Sequence, residues 1–205
     1  MNESKHWDQV YERRAPDQVS WYRPHLERSL ALIEHVKLPT NAAIIDVGGG
    51  TSTLVDDLLD RGYSLLTVLD ISSKAITTAR ERLGVRADAV SWLTADVTRV
   101  ELPLHQFDFW HDRAVFHFLR DENSRSRYIA AARHALKPGG HIVVATFGPE
   151  GPERCSGLEV MRYSTEGIHA QFGGAFRRLA SFTEIHQTPG GVEQEFVYCF
   201  CKMAE

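Results

Sequence analysis

At 205 residues, with 43% hydrophobic and 24% charged side chains, the chain has the size and balance of one globular domain around one core. No stretch is long and apolar enough to cross a bilayer, and Met1 to Arg14 lacks the apolar run of a signal peptide, so the expected compartment is the cytoplasm. A net charge of −4 with interspersed signs argues against a nucleic-acid partner, and three cysteines without CxxC spacing read as reduced thiols, not as a disulfide framework or zinc site.

In chain order, the aromatic segment Val19-Ser20-Trp21-Tyr22 precedes a helix marked by Leu26, Leu30, Ile33 and Val36. Residues 1–40 are therefore expected to form an N-terminal helical lid, with 41–205 as the core of the same single domain. From Ala43 onward, strands alternate with helices, the signature of a mostly parallel sheet. Ala42 to Val47 reads as a buried strand, closed by Gly48-Gly49-Gly50 and followed by a helix carrying Leu54, Val55, Leu58 and Leu59. Ser64 to Leu69 is the second strand, and Ala75, Ala79 and Leu83 mark the next helix, with Ser72 or Ser73 as its cap. Ala89 to Ala95 and Phe107 to Trp110 are the third and fourth strands. Ile129, Ala132 and Leu136 predict a helix ending at Lys137-Pro138-Gly139-Gly140, before a fifth strand over His141 to Phe147. Gly148 to Gly157 reads as an excursion over the sheet's edge, and Ser164-Thr165-Glu166 opens a helix that stops at Gly173-Gly174. Phe176 to His186 and Val192 to Met203, joined through Thr188-Pro189-Gly190-Gly191, predict a closing antiparallel hairpin. The fold class is thus α/β, a doubly wound, Rossmann-like sheet.

The chemistry concentrates at strand ends. In Asp46-Val-Gly-Gly-Gly-Thr-Ser52 the glycines let the backbone turn tightly beside a helix N-terminus and approach a ligand closely. A dinucleotide fingerprint would place a third glycine at Thr53, so Gly48-x-Gly50 fits nicotinamide cofactors imperfectly. Asp70 ends the second strand, where a carboxylate can accept from both hydroxyls of a ribose. Asp96 follows the third strand and can accept from an adenine amino group, with Ile71 and Val97 on either side of the base. Each acid also has a purely structural reading: orienting the turn for Asp46, capping a helix for Asp70, starting a turn for Asp96. No HExxH occurs, and His111 and His117 lack helical i, i+4 spacing, so no metal is expected.

Ala43 to Gly50, Leu69-Asp70-Ile71-Ser72, Ala95-Asp96-Val97 and Leu136-Lys-Pro-Gly-Gly140 resemble the successive motifs of class I, seven-strand methyltransferases that use S-adenosylmethionine (SAM) and release S-adenosylhomocysteine. The resemblance implies that Asp46, Gly48 and Gly50 surround the methionine part of SAM, Asp70 holds its ribose, and Asp96, Ile71 and Val97 contact adenine. It also makes Trp21 and Tyr22 lid residues over the cofactor. Ser52 departs from the pattern, standing where many members have another glycine.

Trp110-His111-Asp112-Arg113 is similar both to the Trp-Asp-Arg segment of thiopurine S-methyltransferases and to the Asp-Lys-Gly segment of seven-strand protein lysine methyltransferases. The Gly151 to Leu158 stretch is similar to bacterial relatives of the citrate synthase lysine methyltransferase. Asp112 and Arg113 are thus the catalytic candidates, with an ion pair between them as the structural alternative. Trp110 and Cys155 read as core. The expected reaction is methyl transfer to sulfur, oxygen or nitrogen of a small molecule, with protein lysine as the alternative acceptor. A nicotinamide-dependent oxidoreductase and a non-catalytic SAM-binding scaffold are the readings from other classes, and the chain is expected to be a monomer.

Overall fold

The computed structural model describes residues 3–205. Seven strands form one sheet: β1 Ala43–Val47, β2 Leu65–Asp70, β3 Val90–Thr94, β4 Phe107–Arg113, β5 Leu136–Phe147, β6 Phe176–Gln187 and β7 Glu193–Met203. Their order is β3-β2-β1-β4-β5-β7-β6, with β1 to β5 parallel and β7 antiparallel to both neighbours. Among the described residues the α-helices are α1 Glu3–Arg13, α2 Glu27–Val36, α3 Leu54–Asp60, α4 Ser73–Leu83, α5 Glu122–Ala135 and α6 Thr165–Phe172.

The two faces of the sheet carry separate cores. Leu30 and Ile33 of α2, Leu54 and Leu58 of α3 and Ile76 of α4 pack with Ile44, Val68 and Phe109 on one face. Tyr128 and Ala132 of α5 and Ile168 and Phe172 of α6 pack with Ile45, Trp110 and Val144 on the other. All five residues of β1 are buried, as a central parallel strand covered on both faces requires. Ser72, Asp121 and Ser164 cap α4, α5 and α6 with side-chain oxygens, so of the two serines proposed for α4 it is Ser72 that serves.

Two boundaries differ from the pattern reading. Strand β4 runs on to Arg113, three residues beyond Trp110. Leu136 opens β5 and does not close α5: its backbone is extended (φ −72°, ψ 141°) and it pairs with Phe107. Pro138 disfavours helical geometry at the preceding residue, and a register shift between Phe107 and Phe109 absorbs the Lys-Pro-Gly-Gly run into the strand. The Gly148 to Gly157 excursion includes half of a small ribbon pairing Arg154–Cys155 with Leu158–Glu159. Strand order reverses between β1 and β4, and a crevice opens there at the carboxyl ends, where open α/β sheets bind ligands.

Candidate functional site

The turn after β1 depends on two glycines. Gly48 has φ +68°, and a Cβ there would overlap the Val115 γ-methyl. Gly50 has φ +44°, and a Cβ would lie 2.9 Å from both Asp70 Oδ2 and Tyr11 Oη. The Gly48 N–H donates to the Leu69 carbonyl at 2.6 Å, tying the turn to β2. Ser52 is accommodated: its hydroxyl accepts from the Leu54 N–H, and Arg82 donates to the carbonyls of Thr51 and Ser52.

The turn forms one wall of a cleft of ≈ 770 Å³, whose lining includes Asp70, Ile71, Asp96, Val97, Gly48, Trp21 and Arg113. Asp70 is buried, and burial first, then the nearby charges of Asp46 and Asp8, push its carboxyl up to about 7 against hydrogen bonds from the Ser72 and Gly50 main chain. Its Oδ1 accepts from the Ser72 N–H at 2.7 Å. Asp96 forms the turn its sequence suggests while lining the cleft, with Oδ1 accepting from the Thr98 N–H at 2.8 Å and hydroxyl at 2.7 Å.

A smaller cleft of ≈ 430 Å³ adjoins it across Gly48, Trp21 and Arg113, and is lined by Asp46, His111, Tyr22 and Arg23 among others. Asp46 Oδ1 bonds His111 Nδ1 at 2.7 Å, and His111 Nε2 bonds Ser29 Oγ at 2.8 Å. The other Asp46 oxygen is buried without a partner.

Successive strand residues point to opposite faces, and this separates the two catalytic candidates. Asp112 is fully buried on the α5 side; it accepts from the Val115 and Phe116 N–H groups and from the Tyr128 hydroxyl at 2.6 Å. It lines neither cleft and makes no ion pair with Arg113. Burial pushes its carboxyl up to about 7, opposed by those hydrogen bonds. Arg113 lines both clefts. Its Nε donates to Tyr198 Oη at 3.1 Å and Nη1 to the Trp21 carbonyl at 3.0 Å, its guanidinium lies 4.2 Å from the Phe196 ring centre, and Nη2 is buried without a partner. Burial first, then this cation, hold two nearby imidazoles neutral: His117 falls to about 3 and His186 to about 4.

Three residues escaped sequence reasoning. Trp7 and Tyr11, one turn apart on α1, join Trp21 and Phe118 in an aromatic wall, with Trp7 5.9 Å from Trp21 and 5.0 Å from Phe118. Between them Asp8 accepts from the Ser72 hydroxyl at 2.7 Å and the Lys74 N–H at 3.1 Å, docking α1 on the start of α4. The i, i+4 spacing of Trp7 and Tyr11 was the available signal. Trp110 is core, its indole N–H donating to Tyr128. Cys155 is buried at the cleft, its thiol pushed up to about 11 by burial. Among the described residues, no three His, Cys, Asp or Glu side chains gather as a metal would require.

A family model described as a methyltransferase domain matches residues 44–140. The eEF1A lysine and N-terminal methyltransferase of Bos taurus is 29% identical over 144 residues, 67% of this chain. That match covers 20% of the relative, so the chain spans about a fifth of the length of such curated relatives. A solved structure concerned with converting a disulfide bond into a thioacetal group during echinomycin biosynthesis superposes with TM-score 0.79 and 18% identity, covering 98% of this chain and 92% of that one. The Burkholderia thailandensis 1,6-didemethyltoxoflavin-N1-methyltransferase, with 1,6-didemethyltoxoflavin and S-adenosylhomocysteine bound, gives TM-score 0.69 and 16% identity over 99% of this chain and 84% of that one. Residues 44–140 are thus similar to a methyltransferase domain, and the whole described chain has the seven-strand fold of the solved SAM-dependent methyltransferases it superposes on.

Proposed function

We propose that this chain is a SAM-dependent methyltransferase acting on a small nucleophile, with S-adenosylhomocysteine as product. The observation that carries this reading is the convergence of Asp70, Ile71, Asp96 and Val97 on one cleft beside the Gly48–Gly50 turn, at the reversal of strand order. The residues present fit a positively charged nucleoside sulfonium. The turn has no room for a Cβ at Gly48 or Gly50, which keeps its main chain bare beside the cleft, and Asp46 and Asp70 pair with no Lys or Arg among the described residues. Asp70 would hold the ribose hydroxyls, Asp96 the adenine amino group between Ile71 and Val97, and Asp46, Gly48 and Gly50 the methionine part. Trp21 and Tyr22, with Trp7 and Tyr11, would exclude water, and aromatic faces favour a nearby cation by about 0.5–2 kcal/mol.

When bound, SAM supplies an already activated methyl group, so the protein's task is to align the acceptor and keep the site dry. Arg113, alone of the adjacent pair, stands where it can favour an anionic nucleophile; Asp112 is assigned to holding the turn that carries Val115. A thiol with pKa about 8.5 is partly ionised at neutral pH, whereas lysine at about 10.4 must first lose a proton. Asp112, directed away from both clefts, is not placed to take that proton, which favours the small molecule. Protein lysine is the second reading, supported by the relative that methylates lysine. We read residues 1–205 as one domain with 1–40 as lid, working as a monomer in the cytoplasm, where three free buried thiols would stay reduced.

Calorimetric titration with SAM, S-adenosylhomocysteine and NAD tests the reading. Micromolar binding of the first two without NAD is the expected result, lost in Asp46→Ala and Asp70→Ala. NAD binding alone would move the case to redox chemistry. With labelled SAM, transfer to thiols, phenols or amines is expected; transfer only to proteins of an extract would favour lysine, and no acceptor would favour a scaffold.

A further inference from the structure

The Ser29–His111–Asp46 chain has the residue order of a hydrolase triad, yet Ser29 is 0% and His111 1% exposed, so the serine cannot reach a substrate as nucleophile. Its geometry suits another task. A carboxylate can only accept, so the Asp46 contact requires a proton on His111 Nδ1; a neutral imidazole then accepts at Nε2 from the Ser29 hydroxyl. The ring is thereby fixed at both ends, between α2 and β1. Register reinforces this, since His111 lies directly opposite Asp46 in the β1–β4 pairing.

One oxygen of Asp46 is occupied by this bond. The other is buried, has no partner, and lies where a Cβ on Gly49 would come within 2.7 Å of it, against the glycine turn. An unpartnered buried carboxylate oxygen is costly unless a donor completes it. We propose that His111, held by Ser29, is a positioning residue that aims the free oxygen of Asp46 at a cationic N–H donor entering the smaller cleft. On the cofactor reading above, on which this inference rests, that donor is the ammonium of the methionine part. Both ring nitrogens of His111 are engaged, so it acts through Asp46.

The test compares two ligands on the full chain: S-adenosylhomocysteine, which carries the ammonium, and 5′-methylthioadenosine, which lacks the amino-acid part. His111→Ala is expected to weaken S-adenosylhomocysteine about 10- to 100-fold, the scale of one charged hydrogen bond, while 5′-methylthioadenosine changes less than about threefold. His111→Asn retains an N–H near the Nδ1 position and is expected to recover most of the loss, and Ser29→Ala to show a smaller selective loss. His111→Asn also supplies a folded variant should His111→Ala fail to fold, and its own preference for S-adenosylhomocysteine must then exceed that of His111→Leu. Equal weakening of both ligands, or no weakening of either, would overturn the positioning role alone. Failure of the unmodified chain to bind S-adenosylhomocysteine would overturn the cofactor reading and this inference together.

Discussion

Replacing Asp70 by Asn isolates the charge at the side of the cleft proposed to hold the ribose. Burial raises the Asp70 carboxyl from 3.8 to about 7, so near neutral pH the free protein divides between an accepting carboxylate and a protonated acid. Ribose hydroxyls donate, and a proton on the open oxygen removes an acceptor. If only the ionised form binds, apparent Kd scales with 1 + 10 raised to (7 − pH), and tightens about tenfold from pH 6 to pH 8. Stability runs the other way. The folded protein holds a proton that the unfolded chain has already lost between about pH 4 and 7, so unfolding free energy falls as pH rises through that window. The shift of about three units corresponds to about 4 kcal/mol at the upper end, which Asp70→Asn should largely recover above pH 7. Calorimetry with S-adenosylhomocysteine at pH 6, 7 and 8, with urea unfolding at the same pH values, reads both effects. Because the Asn variant shares any titration of the ligand, a slope common to both proteins, or none in the unmodified chain, would refute the reasoning.

Gly48→Ala combines a positive φ with overlap onto Val115, each costing about 1–3 kcal/mol; urea unfolding should show the loss, and Val115→Ala should restore only the steric part. Tyr128→Phe leaves the Trp110 indole N–H unpartnered and strips one donor from Asp112, so unfolding free energy should fall by about 1–3 kcal/mol while S-adenosylhomocysteine affinity, measured calorimetrically, stays unchanged. Asp8→Ala removes the acceptor that docks α1 on α4, and amide exchange followed by mass spectrometry should quicken in α1 before any other helix.

The glycine turn and the acids at three strand ends were readable because a short buried strand followed by glycine has few other uses. The end of β4 was not. His111, Asp112 and Arg113 read as a polar exit from the strand, but each is sustained inside the sheet by partners distant in sequence: Ser29 and Asp46, Tyr128, and Tyr198 with Trp21. The same strand geometry excluded an Asp112–Arg113 ion pair, the structural alternative for these two residues, since sequence neighbours there cannot share a face. Helix α1 was legible only as part of a helical lid, and its wall-forming residues were missed, because it buries no residue fully and its apolar stripe is reduced to Trp7, Val10 and Tyr11. Leu136 satisfied a helical period by spacing alone, and the proline two residues later decided against it.

The stretch matched by the methyltransferase model ends at residue 140, and it contains Asp46, Gly48, Gly50, Asp70, Ile71, Asp96, Val97 and Arg113. What surrounds the Arg113 guanidinium comes from elsewhere: Trp21 from before that stretch, Phe196 and Tyr198 from the closing hairpin. On the reading proposed above, the cofactor side is written mainly in the middle of the chain, whereas Arg113 takes its surroundings from two outer segments that meet over it. If that reading holds, an exchange of the outer segments between relatives should change the acceptor while the strand-end acids of the middle stay in place.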